Sequence, residues 1–222
     1  MFNFDLNRIR NLGYLRGQYA LLNSMREQLV RECEMVVHIG AHTGSEAEFY
    51  QSLQKRVVWV EANPQVADSL IQNISNFSNQ IAFNLLLGDE DCPQVDFHVS
   101  SNQGQSSSLF DFGKDMNHKN LAMVKTIKLP MFKLDSVFST EQILKNSHWI
   151  IDVQGAELKV LKGAAKMLSM ASSLDIEIST REEYSGGATY YQVKTFLSSF
   201  GFYPLWRPKE NSHEDIIFIR KL

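Results

Sequence analysis

The chain has 222 residues, of which 44% are hydrophobic and 21% are charged, values near the average for globular proteins. Its formal charge of −3 and its pI near 6.1 argue against a nucleic-acid partner, since nucleic-acid-binding domains usually have a pI above about 9. Only two cysteines occur, Cys33 and Cys92, which excludes a disulfide framework and leaves little for a metal site. The sequence has no run of 18 apolar residues and no recognisable secretory signal, so we expect a cytoplasmic protein without a membrane span.

Residues 1–34 are polar and rich in helix-forming residues. Leu15, Tyr19, Leu22 and Met25 follow one another at spacings of three or four. This spacing predicts an N-terminal arm of one or two amphipathic helices, which either forms a lid or packs on the sheet.

The stretch from Val36 to Ser45 is a β-branched run that breaks into a glycine turn and then into a short helix. Gly40 and Gly44 let the chain reverse and bring backbone N–H groups close to a ligand at the start of that helix. The next apolar run, residues 57–60, ends in Glu61, about 20 residues after the turn, where doubly wound folds hold a ribose diol. The pattern therefore predicts the beginning of a nucleotide pocket.

The turn lacks the features that bind a pyrophosphate. A dinucleotide fingerprint needs glycine at its first, third and sixth positions, which here are Gly40, His42 and Ser45. The chain's only Gly-Lys pair, at 113 and 114, also lacks the flanking residues of a phosphate-binding P-loop. The pattern favours a ligand with a ribose and an amino-acid-like tail, and S-adenosylmethionine is the common one.

The following segments predict a parallel sheet with right-handed crossovers. Pro64 opens a second helix that extends to Ile74, and a third strand at 81–87 leads into Gly88 and Asp89. A polar stretch at 100–120 interrupts this order. Its centre, 102–108, is too polar to pack, so we expect an inserted loop that acts as a substrate lid.

The remaining elements continue the alternation of strands and helices. The sequence predicts a fourth strand at 149–151 ending at Asp152, a helix from about Gly155, a fifth strand at 173–178, a helix at 191–200, and a closing hairpin of 203–206 with 216–219. In an open α/β sheet, ligands lie beyond the carboxyl ends of the strands. The candidate site residues are therefore Gly40 to Ser45, Glu61, Gly88 with Asp89, Asp152 and Glu177.

Four motifs in this order resemble the FkbM family of S-adenosylmethionine-dependent methyltransferases. They are Ile39-Gly40-Ala41-His42-Thr43-Gly44, Glu61-Ala62-Asn63-Pro64, Ser106-Ser107-Ser108-Leu109, and Ile151-Asp152-Val153-Gln154-Gly155-Ala156-Glu157-Leu158 with Leu161-Lys162-Gly163-Ala164. The glycine turn is common to many nucleotide folds, whereas the Asp-Val-Gln-Gly-Ala-Glu motif behind the other three is more specific. The similarity spans about residues 36–220.

The resemblance implies a Rossmann-like class I methyltransferase fold over residues 35–222. This is an α/β fold with a mostly parallel seven-stranded sheet, helices on both faces and an antiparallel closing strand. It also implies O-methyl transfer from S-adenosylmethionine, often onto a sugar hydroxyl. The alternatives are a catalytically silent binding module of the same fold and, less favoured, a nucleotide-sugar or nicotinamide enzyme.

Two positions depart from the family pattern. His38 stands where the first strand typically ends in Asp, and His42 stands where the family often has Asn. An acid at position 38 would reach toward the amino-acid end of the cofactor, so the chain either binds the cofactor weakly or makes this contact from elsewhere. Two histidines four apart on a strand and turn do not face the same side, so no metal site is expected.

The shape of the cofactor suggests roles for the predicted residues. Glu61 would accept hydrogen bonds from both ribose hydroxyls, with the glycine turn under the methionyl tail. Asp89 either contacts the adenine amino group or belongs to an ordinary acidic turn. The predicted cofactor-binding set is Gly40, Ala41, His42, Gly44, Ser45, Glu61, Ala62, Gly88, Asp89 and Asp152.

Asp152 is the predicted catalytic residue, because methyl transfer requires an aligned acceptor oxygen that loses its proton. Its alternative role is to cap the following helix. The acceptor, a carbohydrate or related small molecule, is predicted to contact Ser107, His118, Glu177 and Tyr184. The alternatives are a solvated loop residue for His118, an exposed acid at a strand edge for Glu177 and aromatic packing for Tyr184.

Overall fold

The computed structural model describes residues 15–114 and 120–220. Its helices are α1 (Leu15–Glu32), α2 (Ala47–Ser52), α3 (Pro64–Ile74), α4 (Leu134–Val137), α5 (Glu157–Gly163) and α6 (Tyr190–Ser199), with a 3-10 turn at Met167–Met170. Its strands are β1 (Met35–Ile39), β2 (Arg56–Glu61), β3 (Gln80–Asn84), β4 (Leu86–Leu87), β5 (Cys92–Ser100), β6 (Met123–Phe132), β7 (Ser147–Ile151), β8 (Ala171–Ser179), β9 (Phe202–Pro204) and β10 (His213–Arg220).

Seven strands form the main sheet in the order β3-β2-β1-β7-β8-β10-β9. β3, β2, β1, β7 and β8 are parallel to one another, whereas β10 is antiparallel to both of its neighbours. This arrangement confirms the predicted α/β class and the antiparallel closing strand. The strand order reverses between β1 and β7, and such a switch point opens a crevice at the carboxyl ends of the strands.

The predicted third strand at 81–87 is wrong as a single element, because the chain changes sheets within it. The backbone N–H of Leu85 donates to the Glu61 carbonyl oxygen at 3.1 Å and ends the pairing of β3 with β2. Leu86 and Leu87 then pair with β6 in a separate three-stranded sheet of order β4-β6-β5. Both leucines are buried in that second sheet. The sequence is therefore apolar across the change of sheet, which hides the boundary between β3 and β4.

The central strands are covered on both faces, as expected for a buried parallel sheet. On one face, Val36 and Trp59 pack with Tyr50 of α2 and Leu70 of α3. The other face belongs to a larger cluster, which includes side chains of β7, β8, α5 and α6. These two layers fix the positions at which β1, β2 and β7 end.

The described part of the N-terminal arm is one helix, α1, which packs on the sheet. Met25 and Leu29 form a buried cluster with Ile217 of β10. The guanidinium of Arg26 pairs with Asp175 of β8, which is only 6% exposed, and with Asp215 of β10 at 2.7 Å. The helix is therefore held by an apolar contact and by an ion pair that is largely withdrawn from water.

Replacing Arg26 by Ala would leave the buried carboxylate of Asp175 without its partner. We expect Arg26→Ala to lower the free energy of unfolding by about 3 kcal/mol, as measured by urea denaturation. The matched control is Arg31→Ala on the same helix, where an exposed pair with Glu27 contributes roughly 0.5 kcal/mol. Equal losses in the two variants would contradict the assignment.

A buried histidine in β7 predicts a pH dependence of stability. The Nδ1 atom of His148 lies 2.8 Å from Ser173 Oγ, and burial lowers the pKa of His148 to about 3. The unfolded chain protonates this group near its ordinary value of 6.5, so the folded state binds fewer protons and loses stability as the pH falls below 6.5.

Each such group contributes a loss of about 1.4 kcal/mol per pH unit once the pH is below the unfolded value. We expect urea midpoints to fall between pH 7 and pH 5 and to fall less steeply in His148→Asn. His38, whose pKa burial lowers to about 4, keeps part of the slope in that variant. Parallel slopes for the wild type and the variant would refute the role of His148.

Candidate active site

A cavity of about 640 Å³ lies at the carboxyl ends of β1, β2 and β7, at the switch point of the sheet. Its volume is within the range of small-molecule sites, about 300–1,000 Å³. Its wall brings together nine residues predicted from the sequence: Gly40, Ala41, His42, Ser45, Glu61, Ala62, Ser107, Asp152 and Glu177. The large sheet, the second sheet and the polar insertion all contribute to it.

The glycine turn crosses closely over the end of β7. Gly40 has a φ of +79°, and a Cβ atom at this position would lie 1.6 Å from the carbonyl oxygen of Asp152. The backbone N–H groups of Gly40 and Ala41 donate to the Val60 carbonyl oxygen at 2.9 and 3.1 Å. A side chain at position 40 would therefore separate β1 from β7, which explains the requirement for glycine.

Glu61 lies at the end of β2 and is only 8% exposed. Its Oε2 atom accepts from the backbone N–H of His42 and its Oε1 atom from that of Asn63, both at 2.8 Å. Burial raises the pKa of Glu61, and these backbone hydrogen bonds oppose the shift. Because each carboxylate oxygen accepts more than one hydrogen bond, the group can still bind two hydroxyls from the cavity.

Four predicted residues lie outside the cavity wall. A Cβ atom at Gly44 would lie 2.5 Å from Leu70 Cδ1, so this glycine allows the turn to pack on α3. Gly88 donates its backbone N–H to the Phe132 carbonyl oxygen at 2.9 Å. Asp89 pairs with the ammonium group of Lys159 at 2.7 Å.

The fourth is Tyr184, which is 2% exposed and packs on Phe112 with ring centroids 5.6 Å apart. The structure thus brings neither Asp89 nor the Tyr184 ring to the cavity, and their contacts with ligands stay predictions. The wall near the end of β3 is apolar instead and consists of Leu85, Leu86, Leu87 and Phe97. His118 lies outside the described residues.

The prediction that residues 102–108 are too polar to pack is wrong for Ser107 and Ser108, which are 9% and 1% exposed. Ser107 Oγ accepts from the backbone N–H of Ser100 at 3.1 Å, and Ser108 Oγ donates to the Gln154 carbonyl oxygen at 2.6 Å. Hydroxyl groups satisfy each other and the backbone here, so the segment packs without an apolar core. The insertion forms one wall of the cavity.

Asp152 and Glu177, here called the acid pair, also line the cavity, after β7 and within β8. The side-chain amide of Gln154 donates to Asp152 Oδ1 at 2.6 Å and also to Glu177 Oε2. The hydroxyl of Tyr184 donates to Gln154 Oε1, which fixes the orientation of that amide. Gln154 therefore holds the two carboxyl groups together at the cavity surface.

His213, at the first position of β10, contacts the acid pair from the third side. Its Nε2 atom lies 3.1 Å from Glu177 Oε2, and its Nδ1 atom lies 2.7 Å from Glu183 Oε2. Burial alone would lower the pKa of His213, but the two carboxylates raise it to about 9. The imidazole is therefore protonated at neutral pH.

The two members of the acid pair titrate in opposite directions. Burial and the charge of Glu177 raise the pKa of Asp152 well above its ordinary range. Burial would also raise the pKa of Glu177, but its hydrogen bond to His213 and the charge of that imidazolium lower it. A proton shared by the pair therefore resides on Asp152 in preference to Glu177.

Asp152 does not cap the following helix, because Ala156 occupies the N-cap position of α5. Glu157 takes the backbone donors instead, accepting from Gly155 N at 2.9 Å and from Val153 N at 3.3 Å. The sequence reading missed His213 as a site residue. The sequence held one indication of it, namely the place of His213 at the start of the closing strand. The first residue of an antiparallel strand lies at the same sheet edge as the carboxyl ends of the parallel strands.

Residues 38–204 match the Methyltransferase FkbM domain. The chain belongs to the FkbM methyltransferase family. S-adenosylmethionine is the methyl donor of this family, as expected from the sequence. The FkbM chain is 24% identical over 176 residues to the 2-O-methyltransferase NoeI of Sinorhizobium fredii (strain NBRC 101917 / NGR234), covering 75% of this chain and 72% of that relative.

Solved structures of methyltransferases share the fold of this FkbM protein. Fibrillarin from Aeropyrum pernix, with natively bound S-adenosyl-L-methionine, has a TM-score of 0.52 at 11% identity, covering 90% of this chain and 74% of that one. Magnesium protoporphyrin IX methyltransferase from Synechocystis PCC 6803, with bound SAH (S-adenosylhomocysteine), has a TM-score of 0.50 at 10% identity, covering 100% and 89%. Within residues 15–114 and 120–220, no helix is long and apolar enough to cross a membrane.

The residues of the FkbM chain fit this cofactor. Glu61 presents a carboxylate with free acceptor capacity, the glycine turn leaves the cavity open beside it, and the apolar wall of Leu85 to Leu87 with Phe97 suits an adenine ring. A carboxylate acceptor beside an apolar wall is the arrangement expected for a nucleoside with a ribose diol.

Replacing Glu61 by Ala should remove the two predicted contacts with the ribose diol. We expect Glu61→Ala to weaken S-adenosylhomocysteine binding about 100-fold, because charge-assisted hydrogen bonds are worth about 1.5–3 kcal/mol each. Isothermal titration calorimetry measures the affinity, and a thermal melt shows whether the turn still folds. Glu48→Ala, an exposed acid on α2, serves as the control, and unchanged affinity in a folded Glu61→Ala protein would remove the ribose assignment.

Proposed function

We propose that this protein transfers a methyl group from S-adenosylmethionine to a hydroxyl of a sugar, a glycan or a related hydroxylated small molecule. The observation that carries the proposal is the acid pair, which shares one cavity with the ribose-binding candidate Glu61. An acceptor hydroxyl needs a group that takes up its proton, and a carboxylate that faces the cofactor cavity and stays ionised can do this.

Each part of the wall has a role in this proposal. Glu61 holds the ribose, the turn from Gly40 to Ser45 lies under the methionyl tail, and the apolar wall covers the adenine. When bound, the cofactor supplies an electrophilic methyl group, to which the acceptor oxygen bonds while the carbon–sulfur bond breaks and its electron pair stays on sulfur. The chain's task is to orient the hydroxyl and receive its proton.

The acid pair is suited to receive that proton. Glu177 is kept ionised by His213, and Asp152, the weaker acid of the two, binds a proton first and can then hydrogen-bond the acceptor oxygen. We assign the role of general base to the pair as a unit, with Glu177 as the ionised member and Asp152 beside it. This assignment retains Asp152 as a catalytic residue and adds Glu177 to the same step.

Polar groups of the insertion favour a hydroxyl-rich acceptor. Amide and hydroxyl side chains on this wall come from Asn102, Gln105, Ser106 and Ser107. Such groups donate and accept hydrogen bonds without charge, and Asn102, Ser106 and Ser107 keep capacity for a further hydrogen bond beside those they make within the insertion, as recognition of a sugar requires. The similarity to a 2-O-methyltransferase supports transfer to oxygen.

The test is an acceptor screen with purified protein and S-adenosylmethionine, in which formation of S-adenosylhomocysteine is followed by mass spectrometry. Monosaccharides, oligosaccharides and simple polyols form one arm, and amines and thiols form the other. Turnover in the first arm is the expected result. Turnover in the second arm alone would refute O-methylation, and absence of cofactor binding would favour a silent module.

Substitutions in the acid pair should separate catalysis from binding. With an acceptor identified in the screen, we expect Asp152→Asn and Glu177→Gln to lower kcat at least 100-fold, because general base catalysis contributes about 10²–10⁴. In Glu177→Gln the affinity for S-adenosylhomocysteine should stay within about threefold in the same calorimetric assay, because Glu177 is predicted to contact the acceptor, whereas Asp152 is also a predicted cofactor contact. Glu90→Gln, at an exposed acid away from the cavity, controls for surface charge. Normal kcat in both variants would exclude the pair as the base.

A further inference from the structure

His38 occupies the position at which the family resemblance places an acid. It is 7% exposed and lies on the cavity wall, and its Nδ1 atom has no hydrogen-bond partner among the described residues. The ring stacks on Trp59, with centroids 5.0 Å apart and an interplanar angle of 24°, and meets Tyr50 edge-on at 6.4 Å. The imidazole is thus packed as an aromatic side chain.

This histidine carries no charge at neutral pH. Burial lowers the pKa of His38 to about 4, although the carboxylate of Glu46 opposes the shift. A neutral imidazole cannot replace the negative charge that an acid at position 38 would present to the ammonium group of the cofactor's amino-acid tail. The cavity therefore needs another anion if that ammonium group is to be paired.

Glu46 meets this need by its position. It directly follows the glycine turn, is exposed, and lies on the same cavity wall as His38. It occupies the N-cap position of α2, yet its side chain does not cap the helix. Its carboxylate is close enough to His38 and Tyr50 for its charge to raise the pKa of both.

The other anions on the wall already have partners. Both oxygens of Glu61 accept backbone N–H groups, and the acid pair is bound by Gln154 and His213. Among the acidic side chains of this wall, Glu46 is the one without a hydrogen bond or ion pair to another described residue. It is also separated from Glu61 by the turn that carries the methionyl tail in the proposed arrangement.

We infer that Glu46 binds the ammonium group of the amino-acid tail of S-adenosylmethionine. The contact that an acid at position 38 would make is thereby made by Glu46 at the start of α2. His38 contributes a neutral, packed aromatic surface to the same cavity. This inference rests on the use of S-adenosylmethionine and is independent of the acceptor. It adds to the cofactor site a residue that the sequence motifs did not predict.

The test compares two ligands that differ only by the tail. S-adenosylhomocysteine carries the amino-acid tail on its sulfur atom. 5′-Methylthioadenosine has the same nucleoside and sulfur atom but carries only a methyl group in place of the tail. Calorimetric affinities for both ligands are measured with the wild type, with Glu46→Gln and with Glu48→Gln, an exposed acid on the same helix that is not part of the wall.

We expect Glu46→Gln to weaken S-adenosylhomocysteine binding about tenfold or more, as for loss of one charged hydrogen bond, and to leave methylthioadenosine binding within twofold. Glu48→Gln should change neither affinity. Raising the salt concentration should weaken binding of S-adenosylhomocysteine to the wild type more than to Glu46→Gln, because an exposed charge contact is screened.

Unchanged binding of S-adenosylhomocysteine in Glu46→Gln, or an equal loss for both ligands, would overturn the inference. Failure of the wild type to bind S-adenosylhomocysteine would overturn it together with the cofactor site. Failure of the acceptor screen alone would refute the proposed O-methylation and leave the role of Glu46 intact. A further variant, Glu46→Gln with His38→Asp, should recover affinity for S-adenosylhomocysteine if the lost contact is a tail anion.

Discussion

The close approach of Gly40 to the backbone of Asp152 determines the geometry of the whole site. The Asp152 N–H donates to the Ile39 carbonyl oxygen at 3.0 Å, while Gly40 and Ala41 donate to Val60 on the other side. The end of β1 is thereby tied to β2 and to β7 at once. As a result, the carboxylate of Glu61 and the acid pair are held on two sides of a single turn, within one cavity.

The acid pair illustrates how the fold separates two carboxyl groups of similar intrinsic acidity. Asp152 and Glu177 come from adjacent parallel strands, and the amide of Gln154 binds both. Only Glu177 meets the imidazolium of His213, which arrives on the antiparallel strand β10. The closing hairpin therefore takes part in the electrostatics of the cavity and does more than complete the sheet. Environments that push two pKa values apart are the usual way to obtain an acid and a base.

The sequence predicted those features that depend on local patterns. The strands around the switch point, the glycine turn, Glu61 and Asp152 follow from apolar runs and turn chemistry. The separate pairing of Leu86 with Met131 was not predictable, because it joins residues far apart in the chain. The antiparallel direction of β10 places His213 at the right sheet edge, but its contact with Glu177 depends on the pairing of β10 with β8 and was not predictable either. The burial of Ser107 and Ser108 likewise depends on hydrogen-bond partners elsewhere.

The small sheet of β4, β5 and β6 carries the insertion and supplies Leu86, Leu87 and Phe97 to the apolar wall, while the glycine turn, Glu61 and the acid pair belong to the large sheet. The two parts are joined by polar contacts at several points, among them His42 Nε2 to the Gln103 carbonyl oxygen at 3.1 Å and Ser108 Oγ to the Gln154 carbonyl oxygen at 2.6 Å. Side chains of the insertion that make none of these contacts, such as the exposed Gln105 on the cavity wall, can change during evolution with little effect on the packing of β1, β2 and β7. A protein built in this way can acquire new acceptors while it inherits its methyl donor unchanged.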